Sequence, residues 1–160
     1  MAVDYFLQIT GIPGESSDAK HKDWLDVDSW SWGETQSGTA QSGGGAGAGK
    51  VVIQDFHFVT KVSKASPKLF LACAQGQHLK EAKLVARKAG KAQQEFLSWT
   101  FSDVLVSSYQ TAGHEAADVP MDQVSLNFAK LKVEYKAQKA DGSLDKAITA
   151  GWDVKNNKQL

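Results

Sequence analysis

Apolar residues recur at every second position through most of this chain, the period of a half-buried β-strand. Val3, Tyr5, Leu7 and Ile9 set a first strand, which Gly11-Ile12-Pro13-Gly14 ends. A polar connection, Glu15 to Asp23, leads to a second strand at about Leu25 to Gly33. Leu25 and Val27 keep one parity, Trp30 and Trp32 the other, so a bulge is predicted near Asp28-Ser29. A third strand spans Lys50 to Val62, with Val52, Phe56, Phe58 and Val62 on its apolar face. Ala82, Leu84 and Ala86 alternate with Lys83, Val85 and Arg87 in the next. Two long strands, Glu95 to Tyr109 and Val124 to Gln138, each switch parity once. In the first, Leu97, Trp99 and Phe101 give way to Val104 and Val106. In the second, Val124, Leu126 and Phe128 give way to Leu131, Val133 and Tyr135. Ile148, Ala150, Trp152 and Val154 form the last strand.

One helix interrupts this pattern, at about Pro67 to Gln75. Ser66 is placed as its N-cap, Pro67 suits the first helical position, and Gly76 supplies a left-handed C-terminal cap. Leu69, Phe70, Ala72 and Cys73 form its apolar stripe. About eight strands with parity breaks and one short α-helix predict a mainly β fold, a partly closed β-barrel of two curved sheets. The length, residues 1–160, fits a single domain.

Residues 36–49 break the alternation altogether. They read Gln-Ser-Gly-Thr-Ala-Gln-Ser-Gly-Gly-Gly-Ala-Gly-Ala-Gly, with no charge and nothing larger than Gln. Such a stretch gains too little from burial to offset the entropy of ordering itself, which predicts a flexible loop. A long loop of this kind inside a domain is usually functional, and contact with another chain is the expected role. Gly44, Gly49 and Lys50 also match the spacing of a phosphate-binding loop. That motif requires a Ser or Thr hydroxyl and a following helix. Val51 has no hydroxyl and opens a β-branched strand, so nucleotide binding is not expected.

Charge and composition exclude several functions. Eighteen basic and 18 acidic residues cancel, and no basic stripe points to nucleic acid. No apolar run is long enough for membrane insertion, and Met1 to Phe6 lacks the features of a signal peptide. Synthesis and folding in the cytoplasm are expected. The single cysteine, Cys73, precludes an internal disulfide and suits a small buried core residue.

Candidate chemistry is sparse. Asp55 and His57 share a strand face and could begin a metal site, but no third ligand has suitable spacing, so no metal and no cofactor are expected. Asp26 and Asp28 could mimic a glycosidase pair, although same-face carboxylates usually sit in solvent. Ser107-Ser108 with His114 lacks a nucleophile elbow. No catalytic residue is assigned, and no enzyme activity is expected. Trp24, Trp30, Trp32, Trp99 and Trp152 read as core or interface packing rather than a sugar-stacking platform. Alternation turns Ser31 away from Trp30 and Trp32, onto a surface that is locally flat and polar.

The ordered set of short segments along the chain resembles the Hcp family, the tube proteins of the bacterial type VI secretion system. The carrying residues include Trp30-Ser31-Trp32-Gly33, Gln36-Ser37-Gly38, Gly47-Ala48-Gly49-Lys50-Val51 and Ser66-Pro67-Lys68-Leu69. They continue with Arg87-Lys88-Ala89-Gly90, Val104-Leu105-Val106-Ser107-Ser108, Leu126-Asn127-Phe128, Gln138-Lys139-Ala140-Asp141-Gly142 and Gly151-Trp152. The chain departs at Lys136-Ala137-Gln138, where a Pro is expected before the Gln.

The resemblance implies a β-barrel with a flanking helix that assembles as a homohexamer, in rings that stack into a tube. Its implied partners are a VgrG spike, a contractile sheath and small effector proteins held in the lumen. It implies export through the type VI machine without a signal peptide. On this reading Ser31 is the candidate lumen contact. Gln41, Ser42, Gly43, Gly44, Gly45, Ala46, Gly47 and Gly90 are candidate contacts between subunits or stacked rings. The competing readings are a monomeric β-sandwich module that binds carbohydrate or another ligand, and a hydrolase using Asp26, Asp28 or His57.

Overall fold

A computed structural model describes residues 2–38, 49–89 and 92–160. Among them the strands are β1 (Val3–Ile9), β2 (Leu25–Ser31), β3 (Glu34–Thr35), β4 (Val52–Ile53), β5 (Phe56–Lys61), β6 (His78–Lys88), β7 (Glu95–Ala112), β8 (Met121–Asn127), β9 (Lys130–Tyr135), β10 (Ile148–Asp153) and β11 (Lys158–Gln159). The helix is α1 (Ser66–Gln75). Strands β7, β6, β1, β2, β5 and β8 pair in that order, and β8 pairs back to β7. This closes a six-stranded antiparallel barrel. β9, β10 and β11 extend from the N-terminal half of β7, while β3 and β4 form a separate two-stranded ribbon.

The parity switches are where the barrel turns corners. Between Val27 and Ser29 the β2–β5 register slips by a residue, the bulge predicted from the tryptophans. The switch in β7 falls at Asp103, which adopts a left-handed backbone with φ 53°. Asp tolerates that region better than most residues. On one side of it β7 pairs with β9 and on the other with β8. The second long strand of the sequence reading divides into β8 and β9 at Phe128-Ala129. These corners let one face stay inward throughout. Leu7, Leu25, Phe56, Phe58, Leu84, Phe101, Val104, Val106, Val124 and Leu126 fill the barrel and are all buried.

Three local expectations change. The third predicted strand breaks at Gln54-Asp55, because the Gln54 carbonyl accepts the Trp32 indole N–H at 2.9 Å and its amide donates to the Gly33 carbonyl at 3.1 Å. Val52 therefore lies on the β3–β4 ribbon, 61% exposed, and not on the apolar face of β5. Ser66 is the first helical residue rather than the N-cap, a position held by Ala65 with no side-chain cap. The Ser66 hydroxyl instead accepts from the Ser63 N–H and donates to buried Asp122 at 2.5 Å. Gly76 does end the helix in the left-handed conformation, as predicted. Leu69 and Ala72 bury against the barrel, but Phe70 is 57% exposed with its ring edge toward Tyr109.

The segment predicted as a plain polar connection, residues 15–23, is a structured cover over β1 and β6. It is folded back by hydrogen bonds from Gly14 N–H to the Asp23 carbonyl (2.7 Å) and from Ser16 N–H to the Trp24 carbonyl (3.0 Å). A β-carbon on Gly14 would meet the Trp24 carbonyl oxygen at 2.4 Å, so only glycine permits this approach. His21 is buried, stacked on Phe6 at 4.3 Å. Its Nδ1 lies 2.8 Å from Asp18 and its Nε2 2.6 Å from Glu95, and an imidazolium can donate to both. Buried Arg87 donates to Asp18 (2.9 Å) and Asp4 (3.3 Å) with its guanidinium over the Phe6 ring. Burial alone would weaken its charge; the bonds to Asp18 and Asp4 outweigh that and raise its pKa.

Hydrogen bonds from His21 and Arg87 hold the Asp18 carboxyl at about 2, below the ordinary 3.8. A depressed carboxylate stabilises the fold above its ordinary pKa and loses that contribution as pH falls through the folded value. The urea midpoint should therefore fall between pH 4 and pH 2, and Asp18→Asn should flatten that part of the profile. An unchanged slope in the variant would show that another carboxylate controls acid stability.

Candidate functional site

The bulge in β2 determines what faces outward from the barrel. Once the register has slipped, Trp30 turns in, 5.9 Å from Tyr5 and 6.1 Å from Phe56 between ring centroids. Ser29 and Ser31 turn out, and Ser31 is exposed. Register then continues the row across the wall: Ser31 stands opposite His57 on β5, His57 opposite Ser125 on β8, and Ser125 opposite Ser108 on β7. The next row runs Ser29, Val59, Gln123 and Gln110. A second bulge, between Val106 and Ser108, brings Ser108 into line.

This four-strand wall is polar and almost uncharged. In the two rows only His57 can titrate, and its Nδ1 is 2.6 Å from the Ser125 hydroxyl. Along one margin Asp55 accepts from the Ser107 hydroxyl (2.6 Å) and the Asn127 amide (2.9 Å). These bonds satisfy the carboxylate and hold the neighbouring strands in register. A depression of about 390 Å³ is lined by His57, Val59, Ser108, Gln110, Gln123 and Ser125. The opposite side of the same strands is the barrel core, so the wall is backed by Phe56, Phe58 and Leu126.

The chemistry weighed from sequence does not converge elsewhere. Among the described residues no group of three or more His, Cys, Asp or Glu could hold a metal ion. Ser107 bonds Asp55, whereas His114 Nδ1 accepts from the Ala116 N–H at 3.1 Å, so this serine and histidine are engaged separately. Asp26 and Asp28 are both exposed. Partial desolvation where the Asp26 side chain meets the strand surface, then repulsion from Asp18, Asp4 and Asp28, raises its pKa even so. Cys73 is half-buried on α1. None of the five tryptophans is exposed, and Trp30, Trp32, Trp99 and Trp152 pack against the core. Lys50 leads into β4 rather than a helix, which leaves the phosphate-loop spacing without its required context. No helix among the described residues is long and apolar enough to cross a membrane.

Of the site residues chosen from sequence, Ser31 alone can be placed. Gln41, Ser42, Gly43, Gly44, Gly45, Ala46, Gly47 and Gly90 lie outside the described residues. The loop's neck is described: the β3–β4 ribbon leads to it, and Gly49 N–H donates to the Ser37 carbonyl at 3.3 Å. Sequence reading missed His57, Ser108, Gln110, Gln123 and Ser125 as companions of Ser31. Their outward parity was readable, but their alignment depends on two bulges and on a closure between non-consecutive strands.

The sequence profile described as "Type VI secretion system effector, Hcp" matches residues 6–135. Protein hcp1 of Pseudomonas aeruginosa is 46% identical over 161 positions, covering 99% of this chain and 99% of that protein. A crystal structure of Hcp1 from Salmonella typhimurium superposes with a TM-score of 0.80 at 37% identity, covering 100% of both chains. A solved structure described only as a type six secretion system protein reaches a TM-score of 0.94 at 30% identity, covering 99% of this chain and 100% of the other.

Proposed function

This chain belongs to the Hcp family of type VI secretion proteins, and from that premise we propose how its surfaces serve a secreted tube. Hcp proteins are ring-forming tube proteins of the type VI system, and the chain is a subunit of that kind. The finer reading is a homohexameric ring, stacked with others inside a contractile sheath beneath a VgrG spike, with small effector proteins in the lumen. In this reading the chain is one domain, folds in the cytoplasm and leaves through the type VI machine without a signal peptide. It acts structurally, with no catalytic step.

The wall carrying Ser31 supports this reading most directly. A conduit for varied proteins needs a surface that holds water and offers hydrogen bonds without fixed charge. Ser29, Ser31, Ser108, Ser125, Gln110 and Gln123 supply such a surface, with His57 among them. Rings built from this barrel would turn the wall inward. The segment from Gln41 to Gly47 and residue Gly90 are assigned to contacts between subunits or stacked rings.

Native mass spectrometry of the purified protein at micromolar concentration should show a hexamer, and Ser31→Gln should preserve it. Ser31 is exposed, so its replacement should change stability by less than about 0.5 kcal/mol. Six enlarged side chains in one channel should nevertheless reduce co-purification of a lumenal effector. Equal effector recovery from an intact mutant hexamer would remove Ser31 from the lumen. A wild-type protein that is strictly monomeric would overturn the ring itself.

A further inference from the structure

The wall that carries Ser31 has a single titratable group in its two rows, and that group is held in place. His57 is exposed on β5, between Phe56 and Phe58, which turn into the core. Its Nδ1 lies 2.6 Å from the hydroxyl of Ser125, which is 9% exposed and belongs to the adjoining strand β8. That contact orients the ring and leaves Nε2 without a hydrogen-bond partner among the described residues. His57 lines the depression of about 390 Å³ together with Ser108, Gln110 and Gln123.

The backbone of this surface is already engaged. β5 is flanked by β2 and β8, and β8 by β5 and β7, so strand addition is closed off and recognition rests on side chains. Gln110 and Gln123 stand opposite each other across β7 and β8 and offer amide donors, and Ser108 offers a hydroxyl. None of these groups can become negative, and His57 alone can become positive. Histidine is the side chain whose charge ordinarily changes between about pH 5 and 8. The charged groups facing His57 are few. β2 places Asp28 at its bulge, and β5 places Asp55 two residues before and Lys61 four residues after His57. Neither β8 nor the half of β7 beside it puts a charged side chain into the rows. Asp55 is engaged by Ser107 and Asn127, and Lys61 lines another depression with Asp26 and Asp28, where its charge is offset.

We propose that the depression beside His57 binds carboxylate side chains of a protein carried in the lumen, with His57 Nε2 donating to the carboxylate and Ser108, Gln110 and Gln123 hydrogen-bonding around it. The inference rests on the lumen reading above and names the chemistry of the cargo, a small protein with Asp or Glu on its surface. Charge complementarity decides this, because the two rows hold donors and a latent cation but no carboxylate that would retain a basic partner. A hydrogen bond from an imidazolium to a carboxylate is roughly twice as strong as a neutral one. Copies of the site around one ring act on the same cargo, so each contact can be weak while the sum is not.

The probe that tests this is a fluorescent poly-glutamate peptide, with poly-lysine as its counterpart, titrated into the intact protein at about pH 8 and about pH 6. Glutamate ordinarily ionises at about pH 4.3, so the probe keeps its charge at both. Poly-glutamate should bind about tenfold more tightly at the lower pH, and poly-lysine should gain nothing. His57→Gln should abolish the gain, whereas His57→Lys should bind tightly at both pH values. His57 is exposed, so both variants should fold. A gain that survives His57→Gln, or a preference for poly-lysine, would overturn the site and leave the lumen reading to its own test through Ser31. A gain that depends on His57 in a protein that is monomeric would uphold the site and defeat the ring.

Discussion

Phe101→Ala should lower the free energy of unfolding by about 3–5 kcal/mol, the range for removing a large aromatic side chain from a core. Phe101 is completely buried, with ring centroids 4.7 Å from Phe56 and 4.8 Å from Phe128. It comes from the stretch of β7 that joins the barrel to β9. A cavity there would be bordered by Phe56, Phe128 and Leu131 and closed by hydrogen-bonded strands on every side, so little relaxation can fill it. At about 2–4 °C per kcal/mol for a chain of this size, the melting temperature should fall by about 10 °C. Urea titration should show a lower midpoint with the slope retained. The measurement belongs at protein concentrations where assembly is absent, because association adds its own stability. A loss below about 1 kcal/mol would mean that the core repacks and that the junction is softer than its geometry implies.

Asp122→Ala should cost about 3 kcal/mol, because it leaves two donors without their acceptor. Asp122 is fully buried and accepts from the Ser66 hydroxyl at 2.5 Å and the Tyr109 hydroxyl at 2.9 Å. Burial, reinforced by this bond to Asp122, raises the Tyr109 pKa. The carboxylate thus ties the first residue of α1 to two strands of the barrel. Combining Asp122→Ala with Ser66→Ala and Tyr109→Phe should recover part of the loss, since the orphaned donors are then gone. Strict additivity of the three changes would show that they do not form one network.

The barrel was legible because alternation and its interruptions carry the same message. Trp30 and Trp32 changed parity relative to Leu25 and Val27 because a bulge really intervenes. Phe101 and Val104 changed parity because Asp103 turns a corner. Pairing was less legible. Nothing in the local pattern says that β8 returns to β7, and without that closure Ser31 and Ser108 cannot be assigned to one wall. Burial failed where a loop covers a sheet. Val85 and Arg87 have the outward parity of β6, but the loop carrying Asp18 and His21 covers that face and buries them. The cue was His21 with Asp18 close before it, in a segment that Trp24 closes. Ser66 misled because its hydroxyl had a buried carboxylate available, which outweighed capping.

The 18-residue strand β7 has a mechanical consequence. It is bordered by β6 along most of its length, by β9 beside its N-terminal half and by β8 beside its C-terminal half. Over Leu97–Ser102, between β6 and β9, a load applied along β7 is therefore shared in parallel by backbone hydrogen bonds on both flanks. They must shear together, whereas bonds in a peeled edge strand fail one after another. The same strand spans the barrel and the three-strand extension, so a push on one is delivered to the other without crossing a hinge. A subunit wired in this way transmits thrust as a stiff body.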